Sequence, residues 1–261
     1  MKKSALRIAK LLEMLRVQQR LDVKTVTSAL KISEATARRL FSQLEKEGDV
    51  IRVHGGVQLA PQLGTDYSFR VSAMHRIEEK TLIGEYAARK VNSDERIFLD
   101  CGTTVLKLAE ALSLRIQAGE IENLTVVTNS LTYVETLGKR CKVILVGGEI
   151  RVGRRDVCGP ITEKNLMMFH LNKAFLGADA VHIDVGFMTT DELTAKTSEI
   201  VIEQSEKSYV LVDSEKFNKS SFLSYAPLNG VEAIFTDTGV SDDTFKAYTN
   251  ASARIERIRP N

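Results

Sequence analysis

Six short apolar runs recur along the later part of the chain: RIFL (96–99), LTVVT (124–128), KVILV (142–146), KAFLG (173–177), YVLV (209–212) and EAIFT (232–236). Helix-length stretches lie between several of them. Strands that alternate with helices pair mostly parallel, because a parallel neighbour is reached only by a crossover connection. The alternation therefore predicts an α/β body with a mostly parallel sheet covered by helices. No internal repeat interrupts the pattern.

The sheet accounts for only part of the 261 residues, a length that suits one large domain or two smaller ones. The first 58 residues carry 12 Lys/Arg and 6 Asp/Glu, a net +6, while the remainder sums to −4. A small basic module joined to a larger acidic one points to a polyanion bound by the first part.

Periodicity inside that module is helical. Ala5, Ile8, Ala9, Leu12 and Leu15 form one apolar stripe, and residues 23–30 form a second, shorter helix. Lys31, Ile32 and Ser33 make a tight connection, with Ser33 placed to cap a third helix that runs from Glu34 and stops at Gly48. Ala37, Leu40, Phe41 and Leu44 define its buried face, which leaves Thr36, Arg38 and Arg39 facing water. Two β-prone runs flank Gly55-Gly56, a two-residue hairpin signal. Three helices and a hairpin make a winged helix-turn-helix whose slim, basic third helix suits the major groove. A basic exposed helix face alone is commonly just solvated; the conjunction of helices, hairpin and charge assigns double-stranded DNA as the partner. Ser33, Thr36, Arg38, Arg39, Arg52 and His54 are the expected contact residues, His54 also serving the turn.

Residues 60–74 carry Pro, Gly and Asp without a clear period and read as a linker, giving domains at 1–59 and 75–261. A helix over 75–91 follows it. In the body, polar and glycine-rich clusters follow the strand runs, where open parallel sheets bind small ligands. Gly102 lets backbone approach a ligand, and Thr103 and Thr104 supply hydroxyls at a helix start, where free N–H groups favour an anion. Thr128, Asn129, Gly147 and Gly148 line the same edge. Lys216 supplies a countercharge, and Asp100 and Asp179 accept sugar hydroxyls. The preferred ligand is a phosphorylated polyol or sugar. The competing readings are ordinary ones: a threonine cap, a tight Gly-Gly turn, a capping aspartate and a surface lysine. No catalytic pairing, metal spacing or cofactor motif emerges. The three cysteines lie far apart and no run reaches membrane-spanning length, so a reducing cytoplasm is expected.

SEATARRLFSQLEKEG followed by RVHGGV, and then DCGTT, VVTNS, LVGGEIR, AFLGAD and VDSEKF in order, resemble the DeoR family of bacterial transcriptional regulators over almost the whole chain. The resemblance implies a repressor of a sugar-catabolism operon. It also implies a sensor domain similar in fold to ribose-5-phosphate isomerase, answering to a phosphorylated sugar, in a homo-oligomer such as a dimer or tetramer. The chain departs from the family pattern at Leu40, where an aspartate is common, at Ala180 in place of a glycine, and at Glu215 in place of a serine before Lys216. The rival readings are a sugar-phosphate isomerase-like enzyme and a DNA-binding protein whose second domain only oligomerises.

Overall fold

The computed structural model describes residues 2–18, 20–46, 50–53, 55–59 and 69–260. The chain divides into two compact units, Met1–His75 and Arg76–Asn261.

The first unit contains α1 (Lys2–Gln18), β1 (Arg20–Asp22), α2 (Val23–Leu30), α3 (Glu34–Lys46), β2 (Val50–Val53), β3 (Gly56–Leu59) and α4 (Phe69–Met74). Asp22 caps α2 by accepting a hydrogen bond from Thr25 N at 2.7 Å, and Lys31 closes it in the left-handed region at φ 49°. The buried face of α3 is the expected one: Ala37, Leu40, Phe41 and Leu44 pack with Leu11, Leu12 and Leu15 of α1, Val26 of α2, and Val50 and Val57 of the wing. The side chains of Ala5 and Ala9, and the helix stop expected at Gly48, lie outside the described residues.

Two details of this unit depart from expectation. Gly56 is not part of the hairpin turn as the Gly55-Gly56 signal suggested, since it already pairs with Val53 in the ladder. Gly55 supplies the positive φ, +77°, that a two-residue turn requires. Gly56 is glycine for another reason: a Cβ there would lie 2.0 Å from Leu21 O. That close approach is made by β1, a third wing strand in the order β1-β3-β2. Nor is the stretch 60–74 a linker throughout. Phe69–Met74 is the helix α4, Phe69 and Val71 are buried, and Val71 joins the core of the first unit. Residues 60–68 lie outside the described residues.

The second unit runs α5 (Ile77–Ala88), β4 (Arg96–Leu99), α6 (Thr103–Gln117), β5 (Thr125–Thr128), α7 (Tyr133–Leu137), β6 (Lys142–Leu145), β7 (Glu149–Arg151), β8 (Asp156–Cys158), α8 (Pro160–Leu166), β9 (Leu171–Leu176), β10 (Ala180–His182), β11 (Gly186–Thr189), α9 (Glu192–Glu203), β12 (Ser205–Leu211), β13 (Leu223–Ala226), β14 (Ala233–Asp237), α10 (Asp242–Asn250) and β15 (Ile255–Ile258). Seven strands form one sheet in the order β15-β14-β12-β9-β4-β5-β6, with every pairing parallel. All six predicted runs are in it, and β15 adds an edge strand.

Successive residues of each strand serve opposite faces. Ile97, Leu99, Val126, Phe175, Tyr209, Leu211 and Phe235 pack with α5 and α6. Phe98, Val127, Ala174, Val210 and Ile234 pack with Ala195, Ile200 and Val201 of α9. Burial on both faces explains why the runs are apolar throughout rather than alternating. The hairpin β7-β8 and the small antiparallel sheet β10-β11-β13 stand outside this sheet.

Phe41 is fully buried at the centre of the first unit. Phe41→Ala is expected to lower that unit's stability by about 3–5 kcal/mol. Calorimetry should show its transition moving down while the transition of the second unit stays in place.

Candidate functional site

The exposed face of α3 begins at Ser33. Its Oγ accepts a hydrogen bond from Thr36 N at 3.3 Å, its carbonyl accepts one from Ala37 N at 3.0 Å, and its hydroxyl meets Thr36 Oγ1 at 3.0 Å. Ser33 is thus the N-cap of α3, and it orients Thr36. Arg38 and Arg39 follow on the exposed side. Arg38 lies 3.7 Å from Glu34 one turn back, a solvent-screened pair that leaves the guanidinium accessible. Arg39 has no charged partner among the described residues.

Arg52 is exposed, and its side chain turns toward α3. Its Nη2 donates to Ser42 Oγ at 2.8 Å and to Arg38 O at 3.4 Å, and its Nε to Glu45 at 3.3 Å. The guanidinium also sits 5.7 Å from the centre of the Phe41 ring. Arg52 therefore ties β2 to the flank of α3 beside Arg38 and sets the helix against the wing. His54 lies outside the described residues.

In the second unit, parallel pairing brings the carboxyl ends of β12, β9, β4, β5 and β6 to one edge in that order. Asp213, Gly177, Asp100, Thr128-Asn129 and Val146-Gly147 stand there. Asp100 is buried and its Oδ2 accepts a hydrogen bond from Gly177 N at 3.2 Å. Burial pushes its carboxyl pKa upward, with the Asp156 charge adding to the effect. A Cβ on Gly102 or Gly177 would meet its neighbours at 3.5 Å or beyond, so packing does not demand glycine at either position. The two glycines face each other across Asp100, their Cα atoms within ordinary contact distance of each other's added Cβ.

Gly102 is the N-cap of α6 and provides no side-chain cap. Thr103 and Thr104 stand at the first two helical positions, nearly buried, and neither hydroxyl bonds another described residue. The capping alternative is therefore not what these threonines do. The first-turn N–H groups of α6 face this edge with two hydroxyls beside them, a favourable setting for an anion. Asn129 adds an independent sign of a ligand. It is 3 % exposed, yet its Oδ1 has no hydrogen-bond partner among the described residues. A buried acceptor left unsatisfied costs free energy that a donor supplied by a ligand would restore.

Other expected residues are committed structurally. Thr128 Oγ1 donates to Leu99 O at 2.6 Å and accepts from Ser130 N. Gly148 has φ +153°, and a Cβ there would lie 2.0 Å from Thr162 Oγ1; that hydroxyl donates to Gly147 O at 2.7 Å. The Gly147-Gly148 pair is thus a close turn against α8. Asp179 accepts from Thr189 Oγ1 and from both N and Oγ1 of Thr190, pinning the end of β11. Lys216 lies in a short turn at 214–216, half-buried, with no ion pair to any described residue.

Several residues at this edge escaped the sequence reading. Tyr133 OH donates to the carbonyls of Asp100 (2.7 Å) and Gly102 (2.9 Å) and so holds the DCG turn. Tyr225 OH donates to Gly177 O at 2.7 Å. Arg151 grips Asp156 through two hydrogen bonds of 2.9 and 2.7 Å and also reaches Asp191 at 2.5 Å. Asp156 in turn accepts from the Cys101 thiol at 3.3 Å. Burial, reinforced by Asp100 and Asp156, pushes that thiol well above its ordinary range, so it stays protonated. The only local signal was the five-residue spacing of Arg151 and Asp156, which becomes a pair once the β7-β8 hairpin folds back on itself. Among the described residues no group of three or more His, Cys, Asp or Glu is arranged to hold a metal ion.

Each unit matches a known domain family. Residues 7–62 match the DeoR-like helix-turn-helix domain, and residues 75–238 match the DeoR C terminal sensor domain. The chain is 34% identical to the transcriptional repressor AccR of Agrobacterium fabrum, over 89% of each chain. It is 31% identical to the lactose phosphotransferase system repressor of Staphylococcus epidermidis, covering 85% of this chain and 88% of that one. A ribose 5-phosphate isomerase of Methanocaldococcus jannaschii superposes with a TM-score of 0.40 and 18% identity over 53% of each chain.

Two measurements probe the geometry of the edge. Tyr133→Phe removes the donor to the Asp100 and Gly102 carbonyls and should cost about 1–3 kcal/mol in urea denaturation. For Asp191, burial acts to raise the carboxyl pKa, but Arg151 and Thr194 outweigh it and hold the group below the usual 3.8. A depressed carboxylate contributes stability that is present above the unfolded value and lost as pH falls through the folded one. The stability gap between wild type and Asp191→Asn should therefore be full at neutral pH and shrink below about pH 3.8.

Proposed function

The chain belongs to the DeoR family of transcriptional regulators, and from that premise we propose that it represses a sugar-catabolism operon and is controlled by a phosphorylated sugar bound at the carboxyl edge of its parallel sheet. The observation that carries the sensor reading is the α6 N-terminus. Its amides and the Thr103 and Thr104 hydroxyls await an anion, beside a buried Asn129 acceptor that awaits a donor. A phosphorylated sugar supplies both, the phosphate toward α6 and Lys216, and a hydroxyl toward Asn129. A relative named for a lactose phosphotransferase system supports the sugar assignment.

The relatives are regulators rather than enzymes, and the chemistry of the edge fits that division. Cys101 is held protonated, and Asp100 is buried within the DCG turn, so neither is an exposed group poised for proton transfer or attack.

On the DNA side, Thr36, Arg38 and Arg39 meet the groove, with Ser33 orienting Thr36 and Arg52 setting the angle of α3. A homo-oligomer, dimer or tetramer, would present its modules to half-sites about 34 Å apart, one helical turn, or a multiple of that. Sugar phosphate acts by changing the affinity of those modules for the operator. A coupling of about 1–3 kcal/mol corresponds to a 5- to 150-fold change, here in the direction of release.

Arg39→Ala is expected to weaken binding to duplex DNA and to lower the slope of log K against log salt by about one, as loss of one phosphate contact would. Fluorescence anisotropy across a salt series measures both. A thermal-shift screen against sugar phosphates tests the sensor. A true effector at 100 times its dissociation constant adds about 2.7 kcal/mol to the stability of the second unit, and Lys216→Ala reduces that gain. Absence of any shift across the screen would refute the sensor reading while leaving DNA binding intact.

A further inference from the structure

The second unit begins at Arg76, which is joined covalently to the last residue of the first unit. Arg76 stands immediately before α5 in the left-handed region, φ 52° and ψ 49°, a backbone that a residue with a Cβ adopts only when its surroundings hold it there. Its side chain shows what holds it. Nη2 donates to Ser214 Oγ at 3.1 Å, and Nη1 to Glu215 at 3.2 Å. Asp237 lies 3.4 Å away, Glu79 2.9 Å and Asp213 3.8 Å. One guanidinium thus sits among four carboxylates and a hydroxyl.

Those partners are the 213–216 turn and its supports. Asp237 Oδ2 accepts from Ser214 N at 2.7 Å, and Asp213 accepts from Glu215 N at 3.1 Å. Gly239 packs against Ser214 so closely that a Cβ would lie 2.3 Å from its Oγ. The same carboxylates that cap this turn are neutralised by Arg76. The turn carries Lys216, and Glu215, the departure from the family pattern noted above, points its charge at Arg76. A ligand anion that draws Lys216 toward it pulls on Ser214 and Glu215, and therefore on the side chain that fixes the backbone at the joint.

We propose that Arg76 is the coupling residue of this regulator: its clamp on the 213–216 turn converts occupancy of the ligand edge into a change of backbone at the joint between the DNA-binding and sensor units. Arg76 is a positioning residue and touches neither DNA nor ligand. The proposal rests on the sensor reading given above.

The test uses full-length protein, a duplex selected by the wild type from a random-sequence pool, and a panel of aldose and ketose phosphates. Arg76→Ala removes the clamp, and Arg76→Lys keeps the charge but loses the planar fork that reaches Ser214 and Glu215 together. Wild type should change its DNA affinity by about 5- to 150-fold on binding an effector. In Arg76→Lys that change should fall below about two-fold, while effector affinity and ligand-free DNA affinity each stay within about three-fold of wild type. Arg76→Ala should behave likewise where its circular dichroism melt shows it folded; Arg76→Lys carries the test otherwise. A wild-type-sized response in Arg76→Lys overturns the proposal. So does loss of effector binding in that variant, which would place Arg76 in the pocket rather than beyond it. A wild type that responds to no sugar phosphate refutes the sensor reading itself, and the coupling falls with it. A responsive wild type with an equally responsive variant refutes the coupling alone.

Discussion

Parallel pairing is the constraint on which the rest of the larger unit depends. Seven strands pointing one way put their carboxyl ends on one edge, and five adjacent ends bring together residues as far apart in sequence as Asp100 and Asp213. Because both faces of the sheet are covered by helices, the edge is where loops are free to carry polar chemistry. The strands themselves are apolar and replaceable in kind. What cannot be exchanged freely are the residues just beyond them, whose carboxylates, amides and hydroxyls must find partners as they leave the core.

Those partners divide the edge into a rigid part and an open part. Tyr133, Tyr225, Thr128, Gly148 and Asp179 are spent on holding turns in place, each through hydrogen bonds or packing within the protein. Arg151 fastens the β7-β8 hairpin to the start of α9 through Asp156 and Asp191, and so fixes one wall. What remains unspent is compact: the first turn of α6 with Thr103 and Thr104, and the Asn129 amide oxygen. Groups held this way would lose little freedom if a small ligand bound there, as proposed.

The DNA-binding unit follows the same division. Leu11, Leu12, Leu15, Phe41 and Leu44 hold three helices together, and Arg52 ties the wing to the flank of α3. The exposed arginines of that helix are thereby left to act on a partner rather than on their own fold. Arg38 and Arg39 were legible from helical spacing alone, since a 3.6-residue period settles which side faces water. The role of Arg52 was not, because its spacing from Ser42 and Glu45 acquires meaning only when the hairpin folds back against the helix.

By itself the sequence determined the parallel α/β body, the basic winged module, the buried stripe of α3, and the residues that follow each central strand. Periodicity and strand length are local properties, and local patterns are read along a chain. Only the tertiary structure decided which of those residues are free. It tied up Thr128, Gly148 and Asp179, moved Gly56 from the hairpin turn into a strand, turned part of the expected linker into α4, and set Arg76 against a turn 138 residues further on. The reason is that a hydrogen bond or an ion pair depends on distance in space. Space between distant segments is assigned by strand order and packing, which no stretch of sequence states alone.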